Sequence, residues 1–173
     1  VGVRVDRDSL DYAAVQKKSR EVVATLTGGV AGLLKRNKVD YIRGSAQITG
    51  PQEVTVDNET KVDAKHILVA TGSRPMEVPG FEFDEDRVLS STGILALDRL
   101  PKSLLILGAG AIGCEFAFVM ASFGVQVTLV EAMEHILPTE DAEVCSVLHA
   151  ALAKLGVTIK TQTRAESLER SAD

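Results

Sequence analysis

The strongest constraint on the fold of this sequence is a set of three glycines placed between an apolar run and a helix-like segment. Gly108, Gly110 and Gly113 directly follow the apolar residues 104–107 and open the segment 111–123. Glycines at this spacing let a strand turn sharply into a helix that packs closely on it. We therefore expect a unit in which a parallel strand and its crossover helix meet at this turn.

Each of the three glycines has its own physical reason. Gly108 permits the tight turn, Gly110 lets the backbone approach a pyrophosphate, and Gly113 brings the helix close to the strand. The helix N-terminus adds unpaired N–H groups and the positive end of the helix dipole, which attract phosphate. The strand and helix context favours a dinucleotide site over the alternative, an ordinary strand–turn–helix connection that carries glycines by chance.

A second signal for a dinucleotide is Glu131, which ends the predicted strand 125–130 and lies 18 positions after Gly113. An acidic side chain at this place accepts hydrogen bonds from ribose hydroxyls. Its charge would also repel a 2′-phosphate, so the sequence favours NAD over NADP. The alternative interpretation is a surface glutamate at the end of a strand.

The pattern around this site alternates between strand and helix, which predicts a βαβαβ unit, one half of a doubly wound α/β fold. Its predicted strands and helices are 104–107, 111–123, 125–130, 140–154 and 157–160. Before this unit, the sequence predicts a long helix, a small antiparallel meander, an apolar strand buried on both faces, and a short helix. These elements cover, in order, residues 8–37, then 39–42, 46–48 and 54–56, then 66–70, then 94–97.

Composition narrows the class of protein. The 173 residues carry a net charge of −5, and a mildly acidic chain is a poor candidate for binding nucleic acid. No apolar run is long enough to span a membrane, and we expect no secretory signal. The two cysteines, Cys114 and Cys145, lie 31 positions apart and fit neither a redox pair nor a metal site. We expect them to be inert buried thiols, and the three histidines to be loop or surface residues.

Several segments outside the glycine-rich turn carry a family resemblance. The segment 67–75, ILVATGSRP, resembles the ATG segment of flavoproteins in which an NAD(P) domain interrupts a flavin domain. The segments 25–39, 78–80, 90–93 and 136–143 are similar to those of dihydrolipoamide dehydrogenases, which are class I pyridine nucleotide-disulfide oxidoreductases. The resemblance covers essentially the whole chain and implies an internal fragment of such an enzyme.

This resemblance implies a fold of two partial doubly wound dinucleotide-binding domains. Residues 1–97 correspond to the C-terminal part of an FAD-binding domain, including the meander, and residues 98–173 to the first βαβαβ half of an NAD-binding domain. The residues implied to contact FAD are Ala46, Thr71, Gly72 and Ser73. The residues implied to contact NAD are Gly108, Ala109, Gly110, Ala111, Ile112, Gly113, Cys114, Glu115 and Glu131. Glu115 matches an acid beside the nicotinamide, whereas its local sequence alone indicates only an acid favoured near a helix N-terminus.

The resemblance further implies electron transfer from dihydrolipoamide through a disulfide and FAD to NAD⁺. The donor would be carried on a lipoyl domain of a 2-oxoacid dehydrogenase or glycine cleavage complex, and the enzyme would be a homodimer in the cytoplasm or the mitochondrial matrix. The chain contains no C-x4-C pair, no flavin fingerprint and no match to the family's catalytic histidine. We therefore expect no catalytic residue in this chain, and no activity from it alone.

Three other interpretations stay open. One is a related disulfide reductase, such as a glutathione or mercuric reductase, although Glu131 weighs against the enzymes that strictly use NADP. Another is a flavoprotein NADH oxidase without a redox disulfide. The third, which is not an enzyme, is a nucleotide-binding fragment without turnover.

Overall fold

The computed structural model of the protein describes residues 9–170, which form two compact units. One unit consists of residues 17–74, and the other contains the remaining described residues. The packing boundary thus lies after Arg74. The division into a flavin part, residues 1–97, and an NAD part, residues 98–173, concerns bound cofactors and stays a prediction.

The first helix, α1 (Tyr12–Arg36), confirms the long helix expected over 8–37 but begins four residues later. Its start is set by Asp11, whose carboxylate accepts the Ala14 N–H at 3.1 Å, as an N-cap residue does. The predicted apolar face is exposed, and no residue of α1 is buried. Three glycines of this helix would meet no heavy atom outside the helix within 4 Å if they carried a Cβ, so they mark no close approach. They are Gly28, Gly29 and Gly32.

The unit of residues 17–74 contains an antiparallel meander, which confirms two of the three predicted strands, 46–48 and 54–56. Its strands lie in the order β1 (Ala46–Gly50), β2 (Glu53–Val56) and β3 (Thr60–Asp63). The turn between β2 and β3 contains Asp57 and Asn58 at φ 51° and 61°, a left-handed conformation that these two residue types adopt more readily than most. The sequence pattern misses β3, because this strand contains only one apolar residue and therefore lacks an alternating signal.

Two predicted strands are absent from the described part of the chain. Residues 39–42 and 66–70 form neither helix nor strand, so both predictions are wrong. The segment 66–70 is not buried either, since Leu68 is 90% exposed and Val69 is 64% exposed. A strand requires a neighbour that pairs with its backbone N–H and C=O groups, and no strand within residues 9–170 pairs with either segment.

The second unit contains the predicted βαβαβ arrangement. In chain order its elements are α2 (Ser91–Ala96), β4 (Ser103–Leu107), α3 (Ala111–Ser122), β5 (Gln126–Val130), α4 (Ala142–Lys154) and β6 (Thr158–Lys160). The three strands are parallel and lie in the order β4–β5–β6. Leu107 lies opposite Val130, and Val130 lies opposite Lys160, so the carboxyl ends of all three strands meet at one edge of the sheet.

The hydrophobic core of this unit lies between the parallel sheet and its helices. Met120 from α3, Val127 and Leu129 from β5, and Leu152 from α4 are each at most 2% exposed. Ile94 from α2 joins the same cluster. This packing places α2, which the sequence resemblance assigns to the flavin part, against the parallel sheet.

Two helices of this unit begin where a side chain caps them. The Ser90 hydroxyl accepts the N–H groups of Thr92 and Gly93 at 3.1 and 3.2 Å, so α2 starts earlier than the predicted 94–97. Asp141 accepts the Glu143 N–H at 2.9 Å and starts α4. In both cases a short polar side chain satisfies N–H groups that the first helical turn leaves unpaired.

The close contact between α3 and β4 depends on Gly113. A Cβ at this position would collide with the carbonyl oxygen of Gly108 and would lie 3.1 Å from its carbonyl carbon. We expect Gly113→Ala to lower the free energy of unfolding by about 1–3 kcal/mol, because overpacking forces the backbone to shift. The matched control is Gly110→Ala, since nothing lies within 4 Å of a Cβ there. Denaturant unfolding of both variants tests this, and equal losses would contradict it.

Candidate functional site

The candidate site lies at the edge where the three parallel strands end. The loops that follow β4, β5 and β6 start at Gly108, Glu131 and Thr161. In open α/β sheets, ligands bind in the crevice outside the carboxyl ends of the strands. The predicted dinucleotide residues therefore lie where this fold places a ligand.

The glycine-rich loop has the backbone geometry that its spacing predicts. Gly108 has φ +96°, a conformation that favours glycine, and its N–H donates to the Val130 carbonyl at 2.8 Å. Gly113 contacts the carbonyl of Gly108, so the turn and packing roles of these two glycines are confirmed. The role of Gly110 toward a pyrophosphate stays a prediction.

The N-terminus of α3 fits an anionic group. Gly110 is the N-cap residue and makes no side-chain capping bond, and the space beside its Cα is open to at least 4 Å. The first intrahelical bond runs from the Cys114 N–H to the Gly110 carbonyl at 3.0 Å, so the three preceding N–H groups have no partner within the helix. These are the N–H groups of Ala111, Ile112 and Gly113. Unpaired N–H groups at a helix N-terminus are suited to hold phosphate.

Ala109, between the first two glycines, is fixed by its neighbours. It is fully buried, and its carbonyl accepts the Leu137 N–H at 2.7 Å and the Cys114 thiol at 3.4 Å. Its N–H donates to Glu131 Oε2 at 2.8 Å. The loop is thus bonded to the segment that follows β5 through both polar groups of one residue.

Glu131 lies where the sequence predicts it but makes contacts that the sequence does not reveal. It is 8% exposed, and its second carboxylate oxygen, Oε1, accepts the Met133 N–H at 2.9 Å. Both oxygens are therefore bonded to backbone groups of the protein itself. A carboxylate has about four acceptor positions, so acceptor capacity for ribose hydroxyls remains. The interpretation of Glu131 as a free surface glutamate is not supported by this burial.

The remaining residues of the segment 108–115 divide between surface and core. Ile112 is 58% exposed and Glu115 is exposed, so both side chains are available to a ligand or another part of the protein. Cys114 is 4% exposed and faces the core. Its side chain therefore contributes packing rather than ligand contact.

Both cysteines are buried, as predicted. Cys114 donates to the Ala109 carbonyl, and Cys145 donates to the Leu137 carbonyl, each at 3.4 Å. Burial is the main cause that raises the pKa of the Cys114 thiol, and the nearby Glu131 carboxylate adds to it. A thiol with a raised pKa carries little thiolate, so Cys114 is unsuited to redox exchange.

The predicted flavin residues lie in the other unit, residues 17–74. Ala46 opens β1 and is exposed, and residues 71–73 are exposed, with Gly72 at φ +75°. The structure thus divides the predicted site residues between its two units. Exposed backbone at Gly72 is compatible with a close approach by a ligand.

The sequence gives no sign that Asp57 contacts the segment next to Ala46. The Ser45 N–H donates to Asp57 Oδ1 at 2.8 Å, and the Asp57 N–H donates to the Ser45 carbonyl at 2.9 Å. A Cβ on Gly44 would collide with the side chains of Asp57 and Val56. Asp57 therefore holds the segment before β1 in place, although it lies 12 residues away and reads in sequence only as a turn residue.

We also searched the described part of the chain for a metal site, for clustered histidines and for a membrane-spanning helix. Residues 9–170 contain no group of three histidine, cysteine or acidic side chains that could hold a metal ion. His135 and His149 are half-buried beside a shallow cavity, and His135 Nδ1 lies 2.9 Å from the Ile136 carbonyl oxygen. No helix in this range combines the length and hydropathy of a membrane-spanning segment.

Comparison with known proteins identifies the family. The family model described as pyridine nucleotide-disulphide oxidoreductase matches residues 3–173, and the chain belongs to this family. It is 40% identical to the mitochondrial dihydrolipoyl dehydrogenase of Pisum sativum, over 99% of this chain and 35% of that protein. It is 40% identical to the dihydrolipoyl dehydrogenase of Chlamydia pneumoniae, over 98% of this chain and 37% of that protein. A leghemoglobin reductase of Vigna unguiculata is 39% identical, over 99% of this chain and 34% of that protein.

Solved structures agree with this assignment. LpdA from Mycobacterium tuberculosis superposes with a TM-score of 0.81 and 28% identity, covering 95% of this chain and 38% of that chain. The HOCl-induced flavoprotein disulfide reductase RclA from Escherichia coli superposes with a TM-score of 0.79 and 30% identity, covering 93% of this chain and 38% of that chain. The predicted partial α/β fold of this family is therefore confirmed, and the family uses FAD and NAD(H). The chain spans between 34% and 37% of the length of these three curated relatives.

The burial of Cys114 leads to a test of its reactivity. Because its pKa is raised in the folded protein, alkylation of the native protein by iodoacetamide should be at least about tenfold slower than in guanidinium chloride. The folded state also keeps this proton to a higher pH than the unfolded state, so the free energy of unfolding should fall as pH rises through the ordinary thiol range. Rapid native labelling at Cys114, located by peptide mass spectrometry, would contradict this.

Proposed function

We propose that this chain is part of a flavoprotein oxidoreductase that reoxidises dihydrolipoamide and passes the electrons through a disulfide and FAD to NAD⁺. The observation that carries the NAD part is the α3 N-terminus, where the space beside the Gly110 Cα is open and the first N–H groups have no partner within the helix. The donor is proposed from the relatives named dihydrolipoyl dehydrogenase at 40% identity over nearly the whole chain.

In this proposal the parallel sheet unit binds NAD(H). The pyrophosphate lies against Gly110 and the free N–H groups at the start of α3, with Ala109 and the rest of the segment 108–115 forming the loop around it. Glu131 accepts the ribose hydroxyls with its remaining lone pairs and disfavours a 2′-phosphate. Glu115, exposed on α3, is proposed to lie on the nicotinamide side.

The unit of residues 17–74 is proposed to contact FAD through Ala46 and residues 71–73. These positions combine exposed backbone with a segment that Asp57 holds in place before β1. The assignment of residues 1–97 to the flavin part and 98–173 to the NAD part belongs to this proposal.

The chain's own residues bind and orient the cofactors. Flavin and nicotinamide supply the hydride transfer when they are bound. The buried Cys114 and Cys145 donate to separate carbonyl groups rather than forming an exposed redox pair. We therefore assign the redox disulfide and the proton-transferring histidine to parts of a longer protein, in line with the greater length of the relatives.

The proposal includes a partner and a compartment. The partner is a lipoyl domain of a 2-oxoacid dehydrogenase or glycine cleavage complex, and the whole protein is proposed to be a homodimer. The compartment is the cytoplasm, or the mitochondrial matrix as in the Pisum sativum relative, whose name states that location.

The role of Gly110 can be tested by filling the space beside it. In the complete protein, Gly110→Val should weaken NADH binding by at least about a hundredfold while FAD content stays unchanged, because the side chain would occupy the pyrophosphate position. NADH titration followed by fluorescence, with flavin absorbance as the internal control, measures both. Unchanged NADH affinity would remove the glycine-rich loop from the site.

The choice of substrates can be tested on two proteins, the 173-residue chain and the complete protein that contains it. The complete protein should reduce NAD⁺ with dihydrolipoamide and prefer NAD⁺ to NADP⁺ by at least about tenfold, because the Glu131 carboxylate repels the added phosphate. The 173-residue chain alone should show no turnover and should unfold at a lower temperature. Activity with glutathione disulfide, mercuric ion or oxygen in place of lipoamide would instead support a related reductase or an NADH oxidase.

A further inference from the structure

We propose that Glu131 positions the glycine-rich loop for the pyrophosphate, independently of any contact with ribose. This inference rests on the proposed NAD site and adds a second role to a residue that sequence assigns only to ribose. The juxtaposition that supports it is a carboxylate whose two oxygens each accept a backbone N–H, one from Ala109 in the loop and one from Met133.

The carboxylate is itself held in a fixed place. The Glu131 N–H donates to the Lys160 carbonyl at 2.8 Å, and the Glu131 carbonyl accepts the Thr163 N–H at 2.9 Å. Both backbone groups of Glu131 are thus bonded to β6 or to the segment that follows it. With 8% exposure, the side chain has little freedom to leave the two N–H groups that it accepts.

The loop depends on this carboxylate at its central residue. Ala109 is bonded on one side through its carbonyl to Leu137, and on the other side through its N–H to Glu131. Gly110, which forms the open cradle at the start of α3, follows directly in the chain. Loss of the Glu131 contact would free the Gly108–Ala109 peptide, so that only the next peptide, whose Ala109 carbonyl accepts the Leu137 N–H, would still hold the loop before α3.

Glutamine is the informative replacement. Two N–H donors converge on the two oxygens, and a glutamine amide offers one oxygen and one NH₂ group, so one donor would face another donor. Glutamine could still form hydrogen bonds with ribose hydroxyls. Glu131→Gln therefore disrupts the pair of backbone hydrogen bonds while it keeps groups that can bond to ribose.

The experiment compares two nucleotides that differ only in the ribose hydroxyls. ADP and 2′,3′-dideoxy-ADP are titrated into the complete, FAD-loaded protein, using wild type, Glu131→Gln and the control Glu134→Gln. Glu134 is an exposed acid of the same loop, so its replacement removes the same charge without touching the glycine-rich loop. Isothermal titration calorimetry gives the affinity of each pair.

We expect Glu131→Gln to weaken both nucleotides by about tenfold, because a bond between a backbone N–H and a carboxylate is lost in either case. Unchanged affinity for the dideoxy nucleotide in Glu131→Gln, with or without a loss for ADP, would overturn the inference and leave at most the ribose role. Failure of the wild type to bind ADP or NADH would instead overturn the proposed function. Glu134→Gln should bind both nucleotides as wild type does, and a matching tenfold loss there would reduce the effect to net charge and overturn the inference.

Hydrogen exchange adds a measurement that does not depend on ribose, and its wild-type arm does not require a folded variant. In the wild type without nucleotide, the peptide that covers Ala109 should be protected, and in Glu131→Gln it should exchange at least about tenfold faster. If Glu131→Gln does not fold, the exchange rate of the Ala109 amide in the wild type tests the proposal. Rapid exchange of the Ala109 amide in the nucleotide-free protein would overturn the proposal.

Discussion

The contact between the backbone of Gly113 and the carbonyl of Gly108 is the constraint on which the second unit depends. It brings α3 against β4 at a distance that no side chain at Gly113 would allow. Close packing of this helix buries Met120 and the apolar residues of β5 in one core. The same contact sets the direction of α3, so its unpaired N–H groups emerge at the edge where the strands end. Stability and the candidate site therefore follow from a single steric requirement.

A network of backbone hydrogen bonds then joins the three loops at this edge. Val130 accepts the Gly108 N–H, Ala109 accepts the Leu137 N–H, and the segments after β5 and β6 are bonded through Glu131. These bonds satisfy polar groups that would otherwise be buried without partners. The consequence is a loop whose backbone is fixed by the protein itself, which would reduce the ordering cost of binding a ligand there.

The unit of residues 17–74 leaves much of its apolar surface exposed. Its meander is well paired, but α1 buries no residue, and the apolar segment 66–70 is exposed. Exposed apolar surface of this extent typically marks an interface. The relatives are nearly three times as long as this chain, which agrees with our proposal that the chain is part of a longer protein. The two wrong strand predictions have the same origin, since an apolar sequence becomes a strand only when a neighbour pairs with it.

The sequence by itself determined the elements of the parallel sheet unit and the position of its glycine-rich loop. Strand and helix periods differ, and glycine spacing has a direct steric meaning, so both can be read from residue order. Only the tertiary structure decided what Glu131 and Asp57 contact. Glu131 Oε2 and Asp57 Oδ1 accept backbone N–H groups 22 and 12 residues away, and every residue except proline carries such a group. Residue types therefore carry no signal for these bonds, which arise only when the strand register brings distant loops together.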